Sequence, residues 1–124
     1  MYKRNKEEIE LLLDDIIEAS NRISRYIKYL DSDFFMEDII IQDAVIRNFE
    51  IIGEAVKNLP QDFREKYPYI NWRGASGMRD KLIHGYFGID LSILWNTAKK
   101  DLPQFSREII EIREIIIRPK KKNK

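Results

Sequence analysis

Residues 5–30 read NKEEIELLLDDIIEASNRISRYIKYL, and the apolar positions in this stretch decide the fold class. Ile9, Ile16, Ile23 and Leu30 recur every seven residues, and further Leu and Ile residues lie three or four positions from them. Charged side chains fill the positions between. This spacing is typical of a long amphipathic helix that packs along another long helix. We therefore predict a helix over about 5–30, followed by stop and cap residues at 31–33.

The helical period continues through the rest of the chain. The β-branched run Ile39–Ile41 has strand propensity, but the surrounding three-and-four spacing favours a helix. Gly53 either admits a close neighbour or is a tolerated helix glycine. The predicted helices are Met36–Leu59, a short one within Pro60–Tyr67, one from Asn71–Gly74 to His84, one capped by Asp90, and a last one that follows a kink or new start at Pro103 and ends before Pro119. The sequence thus predicts an all-α antiparallel bundle of four or five helices over residues 1–118, with a basic flexible tail at 119–124.

Composition excludes several functional classes. The chain has 124 residues, one histidine and no cysteine, so a disulfide framework or a four-ligand zinc site is not expected, and we predict neither a metal nor a cofactor. No long apolar run is present, so we expect no membrane span and a cytoplasmic location. The net charge of +1 combines residues 118–124, which carry +5, with residues 1–117, which carry −4. Such a body is unsuited to binding duplex DNA by bulk electrostatics.

The side chains best suited to catalysis lie in residues 77–88. His84 is the one side chain whose ordinary pKa suits proton transfer near neutral pH, and Arg79 matches phosphate oxygens. Together they could cleave RNA without a metal, because an imidazole can take the proton of the ribose 2′-hydroxyl while a guanidinium stabilises the charged phosphorane. Protonation of the leaving oxygen also needs an acid, which a second imidazole would supply. Because the chain has one histidine, a homodimer would have to supply it.

Helix geometry limits how these groups meet. Arg79 and His84 are five positions apart, or about 140° around a helix. Asp80 and His84 are four apart and share a face, so Asp80 could orient the imidazole. The same residues also fit structural roles, since a lone helical histidine or Tyr86 beside Phe87 is often a packing residue.

Residues 79–86, RDKLIHGY, resemble the Arg-x4-His-x-Tyr motif of HEPN-domain toxins of the HepT type. The resemblance extends to three flanking segments in the family's order and covers roughly residues 5–117. These segments are Ile51–Ala55, Trp72-Arg73 and Leu94-Trp95 through Asp101–Pro103.

This resemblance implies a homodimeric helical bundle in which the motifs of two chains face each other. It implies a metal-independent ribonuclease toxin with Arg79 and His84 as catalytic residues and Asp80 as the supporting polar residue. The family's antitoxin partner, MntA, is a minimal nucleotidyltransferase that transfers AMP from ATP to the motif tyrosine, here Tyr86. The added phosphate charge and bulk would repel and block RNA.

Two other functions stay open at this stage. The chain could be a non-catalytic HEPN subunit that assists a minimal nucleotidyltransferase, or a structural helical protein that keeps the motif for packing. The bases of residues 57–81 outnumber the acids six to three, which suits either the flank of an RNA groove or an ordinary solvated face.

Overall fold

The computed structural model describes residues 5–84 and 90–118, with the backbone only for Ile83 and His84. Within these ranges the chain is helical and has no strand, which confirms the predicted all-α class. The predicted tail at 119–124 lies outside the described residues. The elements are α1 Lys6–Ile27, α2 Ser32–Glu37, α3 Ile39–Asn58, α4 Gln61–Glu65, α5 Trp72–His84, α6 Leu91–Asn96, a π-helical turn Thr97–Asp101 and α7 Leu102–Ile117.

Helix α1 starts with a reciprocal cap. The Asn5 side chain accepts a hydrogen bond from the backbone N–H of Glu8 at 2.8 Å, and the Glu8 carboxylate accepts one from the Asn5 N–H at 3.5 Å. This arrangement satisfies two donors that the first helical turn leaves free. The helix ends at Ile27, three residues before the predicted end, because the chain turns there and the N–H of Leu30 bonds to the carbonyl of Ile27.

The predicted second helix is two helices. Asp31 caps α2 by accepting from the N–H of Phe34, and Asp38 caps α3 by accepting from the N–H of Ile41. Asp38 itself is extended, with φ −102° and ψ 92°, so the chain bends between the two helices. The buried Gln42 amide donates to the carbonyls of Phe35 and Met36 and thereby closes the end of α2. Ile39–Ile41 lie in α3, as predicted.

Residues 91–117 form one nearly continuous helical rod. Asp90 caps α6, as predicted, by accepting from the N–H groups of Ser92 and Ile93. Of the two alternatives predicted for Pro103, a kink or the first turn of a new helix, the structure shows the second. It lies in the first turn of α7, directly after the π turn. A proline has no N–H and crowds the preceding turn, and a wider π turn accommodates both effects.

Helices α1, α3 and α7 enclose the core, and α5 packs on α3. An ion pair between Asp14 and Arg113 joins the early part of α1 to the late part of α7, as in antiparallel helices. The predicted apolar stripes of α3 and α7 are buried at Phe49, Ile52 and Ile109, among others. No helix in the described ranges is long and apolar enough to span a membrane. Helix α5, which carries the first part of the candidate motif, thus lies against one side of α3.

Candidate active site

Two polar contacts fix the start of the motif helix α5. The Asn71 side chain accepts from the backbone N–H of Gly74 at 2.9 Å, which caps the helix. The indole N–H of Trp72 donates to the carbonyls of Arg64 and Tyr67 at 3.1 and 3.0 Å. Trp72 is buried and meets Phe105 of α7 edge to face. Helix α4, the connection that follows it and α7 thus all contact the N-terminal end of α5.

Gly53 brings α3 and α5 into close contact at Arg79. A methyl group at position 53 would lie 2.1 Å from the Arg79 Cβ, 2.9 Å from its Cγ and 3.0 Å from the Ala75 carbonyl oxygen. No real Cβ atom tolerates the first of these distances. Of the two predicted roles of Gly53, the structure shows the first: the glycine allows a neighbouring helix to approach closely. The aliphatic part of the Arg79 side chain lies directly over it.

Charged groups from both helices surround the Arg79 guanidinium. Its Nη2 lies 2.8 Å from Oε2 of Glu54, and its Nη1 lies 3.3 Å from Oδ1 of Asp80. The same Oδ1 lies 2.5 Å from Nζ of Lys57. Two acids from different helices and two bases therefore form one network at the α3–α5 crossing.

The network changes the acidity of Asp80. The hydrogen bond from Lys57 is the largest cause that holds the pKa of Asp80 below its ordinary value, and the hydrogen bond from Arg79 adds to it. Asp80 is therefore a carboxylate at neutral pH. It engages Lys57 and Arg79 rather than a neighbouring lysine on α5.

The structure places only part of the predicted motif. Arg79 and Asp80 are described with their side chains, and His84 is the last residue of α5. The His84 side chain and all of Tyr86 lie outside the described residues. The orientation of His84 by Asp80 and the role of Tyr86 therefore stay predictions.

The family model and the similar proteins that match this chain indicate the same family. Residues 16–112 match the family model described as "Ribonuclease HepT-like". The chain belongs to the HepT-like ribonuclease family. A "Probable ribonuclease HepT" of Thermococcus cleftensis is 45% identical over 102 residues, which cover 82% of this chain and 93% of the relative.

Two relatives from Methanocaldococcus jannaschii extend the comparison. One, named "Putative RNase", is 44% identical over 107 residues, which cover 86% of this chain and 88% of that protein. The other, named "Gamma-glutamylcyclotransferase and putative RNase", is 46% identical over 109 residues, which cover 88% of this chain but 49% of that protein. The chain thus spans about half the length of this last relative. No solved structure matches the chain significantly.

In this member of the HepT-like ribonuclease family, the contacts of Glu54 and Lys57 with the motif were not predicted from the sequence. The available signal was local: Glu54 follows the helix glycine that admits the Arg79 stem, and Lys57 lies nearly one turn later. An acid and a base at this spacing lie on the same helix face. Which helix they meet depends on the α3–α5 crossing, which one chain's sequence does not encode locally.

The other mid-chain bases have different environments. Arg73 and Lys81 of α5 line an open groove of about 700 Å³ between α5 and α7, together with Lys100 of the π turn and the acids Asp101 and Glu108. The groove is therefore of mixed charge. No cluster of three or more potential metal ligands occurs in the part of the chain that the structure describes.

Proposed function

We propose that this chain is the metal-independent endoribonuclease toxin of a type VII toxin–antitoxin pair. The observation that carries the proposal is the match of residues 16–112 to the HepT-like ribonuclease family, a range that includes the whole stretch from Arg79 to Tyr86. The ordered guanidinium at the α3–α5 crossing supports it, because a planar guanidinium held at a fixed place can bind a phosphate through two N–H groups.

The proposed reaction uses Arg79 and His84 for different tasks. The His84 imidazole accepts the proton of a ribose 2′-hydroxyl, and the 2′-oxygen attacks the adjacent phosphorus. Arg79 stabilises the extra negative charge on the phosphorane oxygens. The bond from phosphorus to the 5′-oxygen then breaks, and the imidazolium of a second chain donates its proton to that oxygen. The products are a 2′,3′-cyclic phosphate and a free 5′-hydroxyl. A homodimer with two facing motifs provides both imidazoles.

The proposed neutralisation acts on Tyr86. A partner nucleotidyltransferase antitoxin of the MntA type transfers AMP from ATP to the Tyr86 hydroxyl and releases pyrophosphate. Tyr86 is two positions after His84, so each added phosphate places negative charge beside the reacting groups. Like-charge repulsion then disfavours binding of the RNA backbone.

Arg79→Ala and His84→Ala test the proposed reaction. Each change should lower RNA cleavage in EDTA at least about a hundredfold, since removal of one general-base or charge-stabilising group costs roughly 10²-fold or more. Arg22→Ala is a matched control, because Arg22 forms a surface ion pair with Glu18 on α1. The measurement is the rate of cleavage of a labelled single-stranded RNA, with circular dichroism to check the helix content.

Cleavage by either motif variant at the wild-type rate would refute the assignment. A wild-type chain that cuts no RNA would instead favour the regulatory-subunit alternative.

Tyr86→Phe tests the proposed neutralisation. The variant should still cut RNA but should resist the antitoxin, because it lacks the oxygen that receives AMP. Mass spectrometry after incubation with the transferase and ATP should find AMP on Tyr86 of the wild type and none on the variant. Tyr69→Phe is the matched control, since Tyr69 is exposed and lies before α5, outside the motif. Full AMP transfer to the Tyr86→Phe chain would contradict this part of the proposal.

A further inference from the structure

We infer that Glu54 is a positioning residue for the ribonuclease reaction, because its carboxylate on α3 holds the Arg79 guanidinium in the orientation that receives the scissile phosphate. The inference rests on the proposed function of Arg79. It is carried by the 2.8 Å contact between Glu54 Oε2 and Arg79 Nη2, together with the close packing of the Arg79 stem over Gly53.

The packing over Gly53 fixes only the first part of the Arg79 side chain. The Cβ and Cγ atoms lie against the glycine, but several rotatable bonds separate them from the guanidinium. An arginine side chain loses considerable conformational entropy when its end is ordered. The contacts at the two Nη atoms supply that order, since one carboxylate lies at each.

Of the two carboxylates, Glu54 makes the shorter contact with the Arg79 guanidinium. Asp80 Oδ1 lies 2.5 Å from Lys57 Nζ and 3.3 Å from Arg79 Nη1, so its shorter contact is with Lys57. Glu54 lies 2.8 Å from Arg79. It also comes from α3, so it ties the end of an α5 side chain to the helix on which α5 rests. Asp80 lies on α5 beside Arg79, so its contact with Arg79 does not join the guanidinium directly to α3; Asp80 reaches α3 only through Lys57.

The acidic surroundings of Glu54 indicate that it positions Arg79 and does not itself bind the substrate. Arg79 borders a cleft between α1 and α3 of about 370 Å³, and its charged lining includes Asp15, Glu50 and Glu54 as well as Arg47. A carboxylate in such surroundings repels phosphate, so Glu54 does not attract RNA. Loss of its charge should therefore leave KM unchanged or lower, while a less ordered guanidinium lowers kcat.

A role in stability predicts something different. The side chain of Glu54 is 55% exposed, and pairs of this exposure contribute little to folding because solvent screens them. Removal of the Glu54 charge should therefore lower Tm by only about 1–3 °C, and this small loss should depend on the presence of Arg79.

The test is Glu54→Gln in the full chain, which keeps the size and an amide oxygen but removes the charge. The matched control is Glu18→Gln, because Glu18 pairs with Arg22 at 2.7 Å on the surface of α1. We expect Glu54→Gln to lower kcat by about threefold to tenfold on a labelled single-stranded RNA of mixed sequence, with no rise in KM, whereas Glu18→Gln should leave both unchanged.

A second measurement is independent of activity. Tm is measured for Glu54→Gln with Arg79 intact and in an Arg79→Ala background. The small loss should occur only with Arg79 intact, as expected for two residues in direct contact.

The outcomes are distinguishable. If the wild-type chain cuts RNA and Glu54→Gln cuts with the wild-type kcat, or with a higher one, the positioning role is wrong. If KM rises while kcat is unchanged, Glu54 acts in binding and the inference is again overturned. If the wild-type chain cuts no RNA, the proposed function itself has failed, and the Tm comparison still decides whether Glu54 acts through Arg79.

Discussion

Gly53 and Gly77 are both helix glycines, and their surroundings give them opposite roles. A methyl group at Gly53 would overlap the Arg79 Cβ at 2.1 Å, whereas nothing lies within 4 Å of the same group at Gly77. A glycine in a helix interior costs about 0.5–1 kcal/mol relative to alanine. That cost is offset by packing at Gly53 and is not offset by any such contact at Gly77 within the described residues.

This contrast predicts opposite effects from the same substitution. Gly53→Ala should destabilise the fold by about 1–2 kcal/mol, because overpacking of roughly 1–3 kcal/mol exceeds the gain in helix propensity. Gly77→Ala should stabilise it by about 0.5–1 kcal/mol. Urea unfolding followed by circular dichroism measures both, and each variant serves as the control for the other.

Gly53→Ala should also lower RNA cleavage, since it displaces the Arg79 stem. If Gly53→Ala were as stable as the wild type, the close contact of α3 with α5 would be refuted.

At this scale the sequence predicts which groups can react but not which groups hold them. Arg79 and His84 follow from residue chemistry and from the motif they resemble, and Gly53 is visible as an anomaly within an apolar helix. The contact of Glu54 with Arg79 joins residues 25 positions apart, so it exists only after two helices cross. Local pattern carries no information on that crossing.

The sequence predicts the helices well where a helix buries one apolar face along its whole length. The stripes of α1, α3 and α7 have a clear helical period, and these helices build the core. Residues 31–38 were harder, because Asp31 and Asp38 are both suited to cap a helix and only one was interpreted as a boundary. The buried Gln42 decides the outcome, since its amide closes α2 from within α3.

The π turn before α7 is a second feature that pattern reasoning did not reveal. Leu94, Ala98 and Leu102 are buried along one face, so the helical period continues up to Pro103, where the sequence indicated a kink or a new helix start. A proline ends a helix when the preceding carbonyl cannot move away from its ring. The turn at Thr97–Asp101 relieves that conflict, and the nearly continuous rod packs the π turn and α7 beside α1 and α6 beside α2.

For the whole molecule, the net charge and the single histidine both favour a site shared by two copies of the chain. The chain has a net charge of +1 and an acidic first half, so RNA cannot be held by bulk attraction and has to be bound locally. It also has one histidine, while the proposed reaction needs one imidazole to accept a proton and another to donate one. Both requirements are met when two copies bring their α5 helices together around a two-fold axis.

A mixing experiment tests this proposed assembly. When wild-type and His84→Ala chains exchange at equal concentration, half of the wild-type chains acquire an inactive partner, so activity per wild-type chain should fall to about half. Further His84→Ala chain should lower it in proportion to the wild-type fraction. Equal mixing with Arg22→Ala, which keeps both motif residues, should leave activity per chain unchanged. Native mass spectrometry measures the mixed dimers, and undiminished activity in their presence would mean that one chain carries a complete site.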